Sequence, residues 1–164
     1  MRWIRGFLLF ATGTLAGMLI MQAGAAPQEE LKGLRLNHVG MYVKNFDESM
    51  NFYTKTMGFH QAFLLKDKEG KPNLAYLQIN HDTFLELAPA DADHPVGFSH
   101  AGLWADDVNT TVATLRSRGV KLDDPKVLST KAPLTNLIDP NGLRLEILEF
   151  APDSLQRKAI DSWK

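Results

Sequence analysis

The stretch NHVGMYVKNFDESMNFYTKTMGF, residues 37–59, decides the fold because a similar stretch occurs later in the chain. Its counterpart is SHAGLWADDVNTTVATLRSRGV, residues 99–120. Both begin with His-x-Gly in an alternating apolar segment, pass through a short acidic or amide turn, and continue with helical spacing to a Gly. A repeat of this kind predicts two copies of one supersecondary unit.

The two halves also end with similar segments, FLEL at residues 84–87 and RLEI at residues 144–147. His38 precedes Glu86 by 48 residues, and His100 precedes Glu146 by 46 residues. Each half therefore carries one His on its first strand and one Glu on its last strand. The repetition makes these four residues candidates for one shared site.

The spacing of apolar residues predicts the elements of each half. In the first strand, Val39, Met41 and Val43 share the face opposite His38. The next segment ends at Gly58, and its apolar residues at helical spacing are expected to pack on that strand face. These positions are Phe46, Met50, Tyr53 and Met57 in the first half and Val108, Val112 and Leu115 in the second half.

Three strand-like runs follow each helix, so each half is predicted to be a βαβββ module. The fold class is therefore α+β, with two paired modules at residues 34–90 and 97–150 within one domain of residues 34–150. We expect a half-open, eight-stranded, barrel-like sheet around a metal site. The six runs are 59–66, 74–80, 83–88, 126–130, 134–138 and 143–150.

The four repeated polar residues suit a divalent metal. A carboxylate inside TFLELA or LRLEIL is costly to bury unless it is paired or binds a cation. Two neutral imidazoles and two carboxylates balance the charge of such an ion, and the chain has no Cys for a thiolate site. Any one of the four residues is also compatible with a purely structural role, but their repetition favours a metal. We predict that His38, Glu86, His100 and Glu146 bind one Ni, Zn, Mn, Co or Fe ion.

Other polar and aromatic residues have weaker patterns. Tyr42 and Trp104 lie along the same strand faces as the predicted ligands, and Gln78 and Asn136 lie on middle strands. We predict that these four bind substrate, with core packing as the alternative for the two aromatic residues. Three further histidines have no repeat partner and are predicted to be exposed: His60, His81 and His94.

These segments resemble the vicinal oxygen chelate superfamily, which includes glyoxalase I, methylmalonyl-CoA epimerase, extradiol dioxygenases and fosfomycin resistance enzymes. The resemblance covers nearly all of residues 34–150 and extends to TFLELAP and DPNGLRLEILEF. It implies paired βαβββ modules and a metal that binds two adjacent oxygens of the substrate. By resemblance to glyoxalase I, the four residues above are the metal ligands, and Glu146 and Glu86 are catalytic, with Glu146 as the base.

Two positions depart from glyoxalase I. That enzyme typically has an Arg four residues after its first ligand and an Asn four residues after its second. Tyr42 and Ala90 occupy these positions here. The metal centre thus resembles that of glyoxalase I, whereas glutathione recognition is not expected.

Three functions are compatible with these residues. The first is a glyoxalase-like lyase or isomerase that uses the metal as a Lewis acid, with Glu146 moving a proton. The second is an Fe(II) extradiol-type dioxygenase with His38, His100 and Glu146 as ligands. Related dioxygenases carry a His near the position of Glu86, so this Glu favours the first function. The third is a non-catalytic binding or resistance protein, whose relatives generally lack the full ligand set.

Residues 1–25 are predicted to form a signal peptide. Arg2 and Arg5 precede the uncharged run at 6–21, and the small residues AGAA follow. This run is shorter than the about 20 residues needed to span a bilayer, which favours cleavage over an uncleaved anchor. The mature protein would begin with a polar lead-in, residues 26–33, and be periplasmic or secreted.

The composition predicts a folded protein with a small-molecule substrate. Hydrophobic residues make up 45% and charged residues 23% of the chain. A formal net charge of −1 predicts no binding to nucleic acid. We expect no membrane association after signal cleavage and a homodimer, whose modules pair within one chain or between chains. The tail, residues 151–164, is expected to be a short amphipathic helix that covers the sheet or a neighbouring subunit.

Overall fold

The computed structural model describes residue 31 and residues 33–164. The predicted signal peptide, residues 1–25, and most of the lead-in lie outside the described residues. Within the described part of the chain, no helix is both long and apolar enough to cross a membrane.

The elements follow the predicted repeat. Module one contains β1 (Arg35–Val43), α1 (Phe46–Asn51), a π-helical segment (Phe52–Thr56), β2 (His60–Lys66), β3 (Pro72–Asn80) and β4 (Thr83–Pro89). Module two contains β5 (Gly97–Trp104), α2 (Val108–Ser117), β6 (Lys126–Val127), β7 (Pro133–Ile138) and β8 (Arg144–Leu148), and α3 (Leu155–Asp161) follows it.

All eight strands form one mixed sheet in the order β2-β3-β4-β1-β5-β8-β7-β6. The first and last strands of each module pair in parallel, β1 with β4 and β5 with β8. The antiparallel pairing of β1 with β5 joins the two modules within one chain. The sheet curls into a half-barrel, so the predicted fold class is confirmed.

The helices of the modules cover the convex face. In module one, Phe46 and Met50 pack on a buried cluster that includes Val43 and Leu85. In module two, α2 buries Val108, Val112 and Leu115 in a cluster with Ile147 of β8. Side chains alternate along a strand, so the residues between these apolar positions point to the concave face.

The π-helical segment changes the predicted helix face. The Met57 N–H donates to the Phe52 carbonyl, five residues earlier, at 3.0 Å. This wider turn rotates the following residue away from the 3.6-residue period. Met57 is consequently 51% exposed, and the prediction that it packs on the strand with Tyr53 is wrong.

The tail is part of the concave face. The Ser154 hydroxyl caps α3 by accepting from the Arg157 N–H. Ala159 and Ile160 pack with Trp104 and Leu148 in one buried cluster. Because strand side chains alternate, Trp104 and Leu148 share their strand faces with the predicted metal ligands of β5 and β8. The helix α3 therefore covers part of the face that carries the candidate site.

Candidate metal centre

Strands β1 and β5 bring the two His-x-Gly motifs into register. His38 pairs with Gly102, and Gly40 pairs with His100. A Cβ atom at Gly102 would overlap Cε1 and Nδ1 of His38, and one at Gly40 would overlap the same atoms of His100. Each glycine makes room for the imidazole of the other module, which gives a physical reason for the repeated motif.

The four predicted ligands converge on the concave face. His38 Nε2 lies 3.0 Å from His100 Nε2. Glu86 Oε2 lies 3.7 Å from His38 Nε2 and 3.8 Å from His100 Nε2. Glu146 Oε2 lies 3.4 Å from His100 Nε2. The ligand atoms of His38, Glu86 and His100 all lie within 4.8 Å of one another, and Glu146 adjoins this group through His100.

This donor set fits a divalent ion. Bonds from Zn to imidazole nitrogen or carboxylate oxygen are about 2.1 Å long, so two ligand atoms on one ion lie at most about 4.2 Å apart. The three contacts among His38, Glu86 and His100, from 3.0 to 3.8 Å, satisfy that limit, whereas Glu146 satisfies it with His100 and lies outside the compact group. Imidazole and carboxylate are also the ligands expected for Zn, Ni, Mn, Co and Fe.

Both imidazoles are uncharged at neutral pH. Burial, with smaller contributions from His100 and Arg144, lowers the pKa of His38 from 6.5 to about 3. Burial, together with Arg144, lowers the pKa of His100 to about 4. A His must be neutral to bind a metal. Both rings already meet this condition at neutral pH, so neither has to lose a proton to solvent before a metal binds.

The two carboxyl groups show the opposite response to burial. Burial raises the pKa of Glu86, although a hydrogen bond from Tyr76 and the charge of Arg144 act against this rise. Burial and the neighbouring Glu86 raise the pKa of Glu146 to about 7, again opposed by Arg144. Two ionised carboxylates are therefore costly at this place unless a cation compensates them.

Sequence reasoning missed two residues of this centre. The buried Tyr76 places its hydroxyl 3.4 Å from His38 Nε2. Arg144 Nη2 donates to His100 Nδ1 at 2.6 Å and to Ser99 Oγ at 2.9 Å. A signal for Arg144 was present, because it lies two residues before Glu146 and so on the same strand face.

Hydrogen bonds fix the tautomers of the two rings. Asn37 Nδ2 donates to the Asp82 carbonyl, which leaves Asn37 Oδ1 to accept from His38 Nδ1–H at 3.2 Å. His38 Nε2 therefore carries a lone pair, and this atom lies 3.0 Å from His100 Nε2. Arg144 can only donate, so the proton of the neutral His100 ring lies on Nε2. His100 must move that proton before its Nε2 can bind a metal.

The two predicted aromatic substrate residues lie in different surroundings. The Tyr42 ring contacts the His94 ring at 4.8 Å between centroids. Trp104 is buried against Phe150 at 4.7 Å, with the Arg35 guanidinium 3.8 Å from its ring centre. Trp104 thus packs in the buried cluster of the concave face, and the roles of Tyr42 and Trp104 in substrate binding stay predictions. The histidines without a repeat partner, His60, His81 and His94, are exposed as predicted.

The two predicted polar substrate residues are also separated. Gln78 is buried, donates to the His81 carbonyl at 3.0 Å, and lines a cleft of about 420 Å³ with His60 and Trp163. Asn136 is exposed and lines a different groove together with residues 119–123. The structure does not bring Gln78 and Asn136 together, and their roles in substrate binding stay predictions.

The model of the Glyoxalase/Bleomycin resistance protein/Dioxygenase superfamily matches residues 35–147. The chain belongs to this family. It is 28% identical over 135 residues to a "Probable lactoylglutathione lyase, chloroplastic" of Arabidopsis thaliana, across 72% of this chain and 36% of that protein. It is 25% identical over 124 residues to a "Probable lactoylglutathione lyase" of Vibrio cholerae, across 70% of this chain and 90% of that protein.

Solved structures of the superfamily share the fold. One is a variant of Streptomyces coelicolor methylmalonyl-CoA epimerase in complex with 2-nitronate-propionyl-CoA, with a TM-score of 0.62 and 26% identity. That match covers 73% of this chain and 96% of the epimerase. The resemblance to vicinal oxygen chelate proteins is therefore confirmed, while the chain spans only 36% of the Arabidopsis relative.

Proposed function

We propose that this chain is an exported, metal-dependent lyase or isomerase acting on a small substrate that presents two adjacent oxygens. The observation that carries the proposal is the convergence of His38, Glu86, His100 and Glu146 from both modules, with contacts of 3.0 to 3.8 Å. The names of its relatives, a lactoylglutathione lyase and a methylmalonyl-CoA epimerase, support a lyase or isomerase.

In this proposal the four residues hold the divalent ion. When bound, such an ion supplies Lewis-acid polarisation of a substrate carbonyl. We assign the proton transfer to Glu146, whose pKa in the metal-free protein is raised to about 7, a value suited to a general base near neutral pH.

Glu86 is suited to a different role. The Tyr76 hydroxyl hydrogen-bonds to it and acts against the rise of its pKa. Its Oε2 also lies at similar distances from both imidazoles, 3.7 and 3.8 Å. We therefore assign Glu86 as a fixed ligand and Glu146 as the catalytic base.

Metal analysis and one substitution test this function. Purified mature protein should bind about one divalent ion and should gain thermal stability with Ni, Zn, Mn, Co or Fe(II). Activity is then screened with hemithioacetals of 2-oxoaldehydes and with 2-substituted acyl thioesters. Glu146→Gln should lower turnover at least 100-fold while metal is retained, because an amide cannot accept the proton. Glu69→Gln, at an exposed turn, is the control.

Two results would contradict the proposal. The first is a protein that contains no metal and shows no thermal shift with any of the five ions. The second is a Glu146→Gln variant with the turnover of the parent protein, which would remove the proposed base.

A dioxygenase is the second candidate, and one observation favours it. The compact group contains two histidines and one carboxylate, which is the ligand composition of Fe(II) oxygenases. Its carboxylate is Glu86, rather than the Glu146 of the sequence-based prediction. Oxygen uptake by the Fe(II) form with a panel of catechols distinguishes the candidates, since stoichiometric consumption would favour the dioxygenase.

Export and assembly complete the proposal. The basic and apolar pattern of residues 1–25 supports a cleaved signal. Mass spectrometry of the protein recovered from the periplasm or medium should give a mature chain that begins near Ala26. Full-length protein in the cytoplasm would contradict export.

Light scattering after size exclusion tests the proposed homodimer, which a monomer mass would refute.

A further inference from the structure

Arg144 places a positive charge beside the candidate metal centre without an acidic partner. Its Nη2 donates to His100 Nδ1 at 2.6 Å and to Ser99 Oγ at 2.9 Å, and neither acceptor is charged. Among residues 33–164, no carboxylate lies within ion-pair distance of the guanidinium. Its Nε and Nη1 make no hydrogen bond within the same part of the chain. The guanidinium therefore has donors to spare for an anion.

The equivalent position of module one shows that the fold does not require this charge. Phe84 lies opposite His38 in the pairing of β1 with β4. Arg144 lies opposite His100 in the pairing of β5 with β8. Phe84 is buried in an apolar cluster with Tyr76. Because an apolar side chain serves the fold at this position of one module, the guanidinium in the other module calls for a different explanation.

The concave face is open to solvent next to Arg144. Ile138 lies directly opposite Arg144 in the antiparallel pairing of β7 with β8, and residues opposed in this way share a face of the sheet. Ile138 is 62% exposed, and Arg144 is itself partly exposed. The side chains of Glu86 and Glu146 retain exposed fractions of 14% and 9%. A small molecule can therefore contact the carboxylates and the guanidinium from the same side.

The width of one imidazole ring separates Arg144 from the place of the metal. His100 Nδ1 contacts the guanidinium, and Nε2 of the same ring faces His38 and the two carboxylates. A substrate that binds the metal through two adjacent oxygens extends beyond them by its remaining carbon atoms. An anionic group one or two carbons away from the chelating oxygens spans the distance to the guanidinium.

The charges of the centre favour one negative charge on that substrate. A divalent ion and the ionised Glu86 and Glu146 together have no net charge. Arg144 then leaves one positive charge in a partly buried place, where it also repels the metal. A singly charged anion removes this imbalance, and a guanidinium binds a carboxylate through strong, charge-assisted hydrogen bonds. A carboxylate therefore fits better than a doubly charged phosphate.

We propose that Arg144 binds a carboxylate of the substrate, so that the substrate is a small organic acid whose two other, adjacent oxygens bind the metal. This inference rests on the proposed function and narrows its substrate class. The carboxylate accepts from guanidinium N–H groups that His100 and Ser99 leave free. Arg144 thereby selects anionic substrates and fixes their orientation on the metal.

Two hydroxamates test this inference, because they chelate a metal through the same pair of oxygens and differ in one carboxylate. Acetohydroxamate has no charged group besides the chelating one, whereas malonic acid monohydroxamate carries a carboxylate on its methyl carbon. The Co(II)-loaded mature protein is titrated with each while the visible Co(II) spectrum is recorded. The parent protein should bind the malonic compound at least tenfold more tightly, the effect of one hydrogen bond between charged groups.

The ratio of the two affinities is then compared between variants, so that any effect of a substitution on the metal itself cancels. Arg144→Met should lower this ratio about tenfold. Arg116→Met, which removes the same charge from a distant ion pair with Asp124, is the matched control and should keep the ratio of the parent. A ratio in Arg144→Met within twofold of the parent would overturn the inference. If Arg144→Met does not fold, Arg144→Gln is measured against the same criteria.

Failure of the proposed function gives a different result. A parent protein that binds no Co(II) contradicts the metal centre and, with it, the role of Arg144. A parent that binds Co(II) but neither hydroxamate contradicts a site for two adjacent oxygens. If the parent binds both hydroxamates with equal affinity, the metal centre stands and only the role of Arg144 is refuted.

Discussion

Replacing Arg144 with Met should strengthen metal binding, although Arg144 touches a predicted ligand. Arg144 Nη2 donates to His100 Nδ1 at 2.6 Å and so keeps the ring proton on Nε2, the atom that has to bind the metal. Without Arg144, Nδ1 can carry the proton and donate it to Ser99 Oγ, 3.0 Å away. The substitution therefore frees Nε2 and also removes a positive charge from the centre.

The size of the charge effect follows from the geometry. The contact of 2.6 Å, the imidazole ring and a metal–nitrogen bond of about 2.1 Å together place the guanidinium roughly 7 Å from the ion. At this distance one positive charge repels a divalent ion by about 1–5 kcal/mol for effective dielectric constants between about 80 and 20. Because Arg144 is partly exposed, the lower part of this range applies. About 1–2 kcal/mol corresponds to roughly 5- to 30-fold tighter binding.

The assay is a competition between the protein and a chelator for Zn or Co(II) at pH 8.5. This pH lies above the pKa of about 7 for Glu146, so protons compete little with the metal. Arg116→Met removes the same charge at a distant ion pair with Asp124 and should leave the affinity unchanged. Unchanged or weaker binding by Arg144→Met would refute both the tautomer and the charge argument.

Four further predictions concern the same centre. Gly102→Ala should displace the His38 ring and therefore lower metal affinity more than tenfold. It should also reduce the free energy of unfolding by about 1–3 kcal/mol. A metal affinity equal to that of the parent protein would contradict this prediction. His38→Ala and His100→Ala should each lose metal on elemental analysis, whereas the exposed His94→Ala should retain it. Metal affinity should fall about fivefold from pH 7 to pH 6, because Glu146 becomes protonated while both imidazoles stay neutral. In the metal-free protein the raised pKa of Glu146 contributes to the free energy of unfolding. This contribution is fully present below pH 4.5 and is lost as the pH rises to about 7. Denaturant titrations at a series of pH values measure this change.

The sequence was sufficient to predict the fold and the close approach of three of the four predicted ligands, His38, Glu86 and His100. Two-residue alternation assigned His38 to the face opposite Val39 and Val43, and the structure has that arrangement. The second copy of the pattern then required His100 to occupy the equivalent place. Repetition was decisive, because neither histidine alone distinguishes a ligand from an ordinary buried residue.

Contacts between distant segments were not predictable in the same way. The pattern of residues 151–164 indicated a short amphipathic helix, but the roughly two turns of α3 do not specify which surface they cover. The structure places α3 on the concave face, with Gln156 beside Tyr76. The π-helical segment was also missed, because a single wide turn changes the position of Met57 without a change in the apolar spacing.

The repeated modules supply equivalent ligands but different neighbours for them. Tyr76 lies opposite Glu86 in the pairing of β3 with β4, and Asn136 lies opposite Glu146 in the pairing of β7 with β8. These two positions are equivalent in the repeat. The Tyr76 hydroxyl hydrogen-bonds to Glu86, whereas the Asn136 that lies opposite Glu146 is exposed. This difference at one pair of positions is the physical basis on which we propose Glu86 as the fixed ligand and Glu146 as the base.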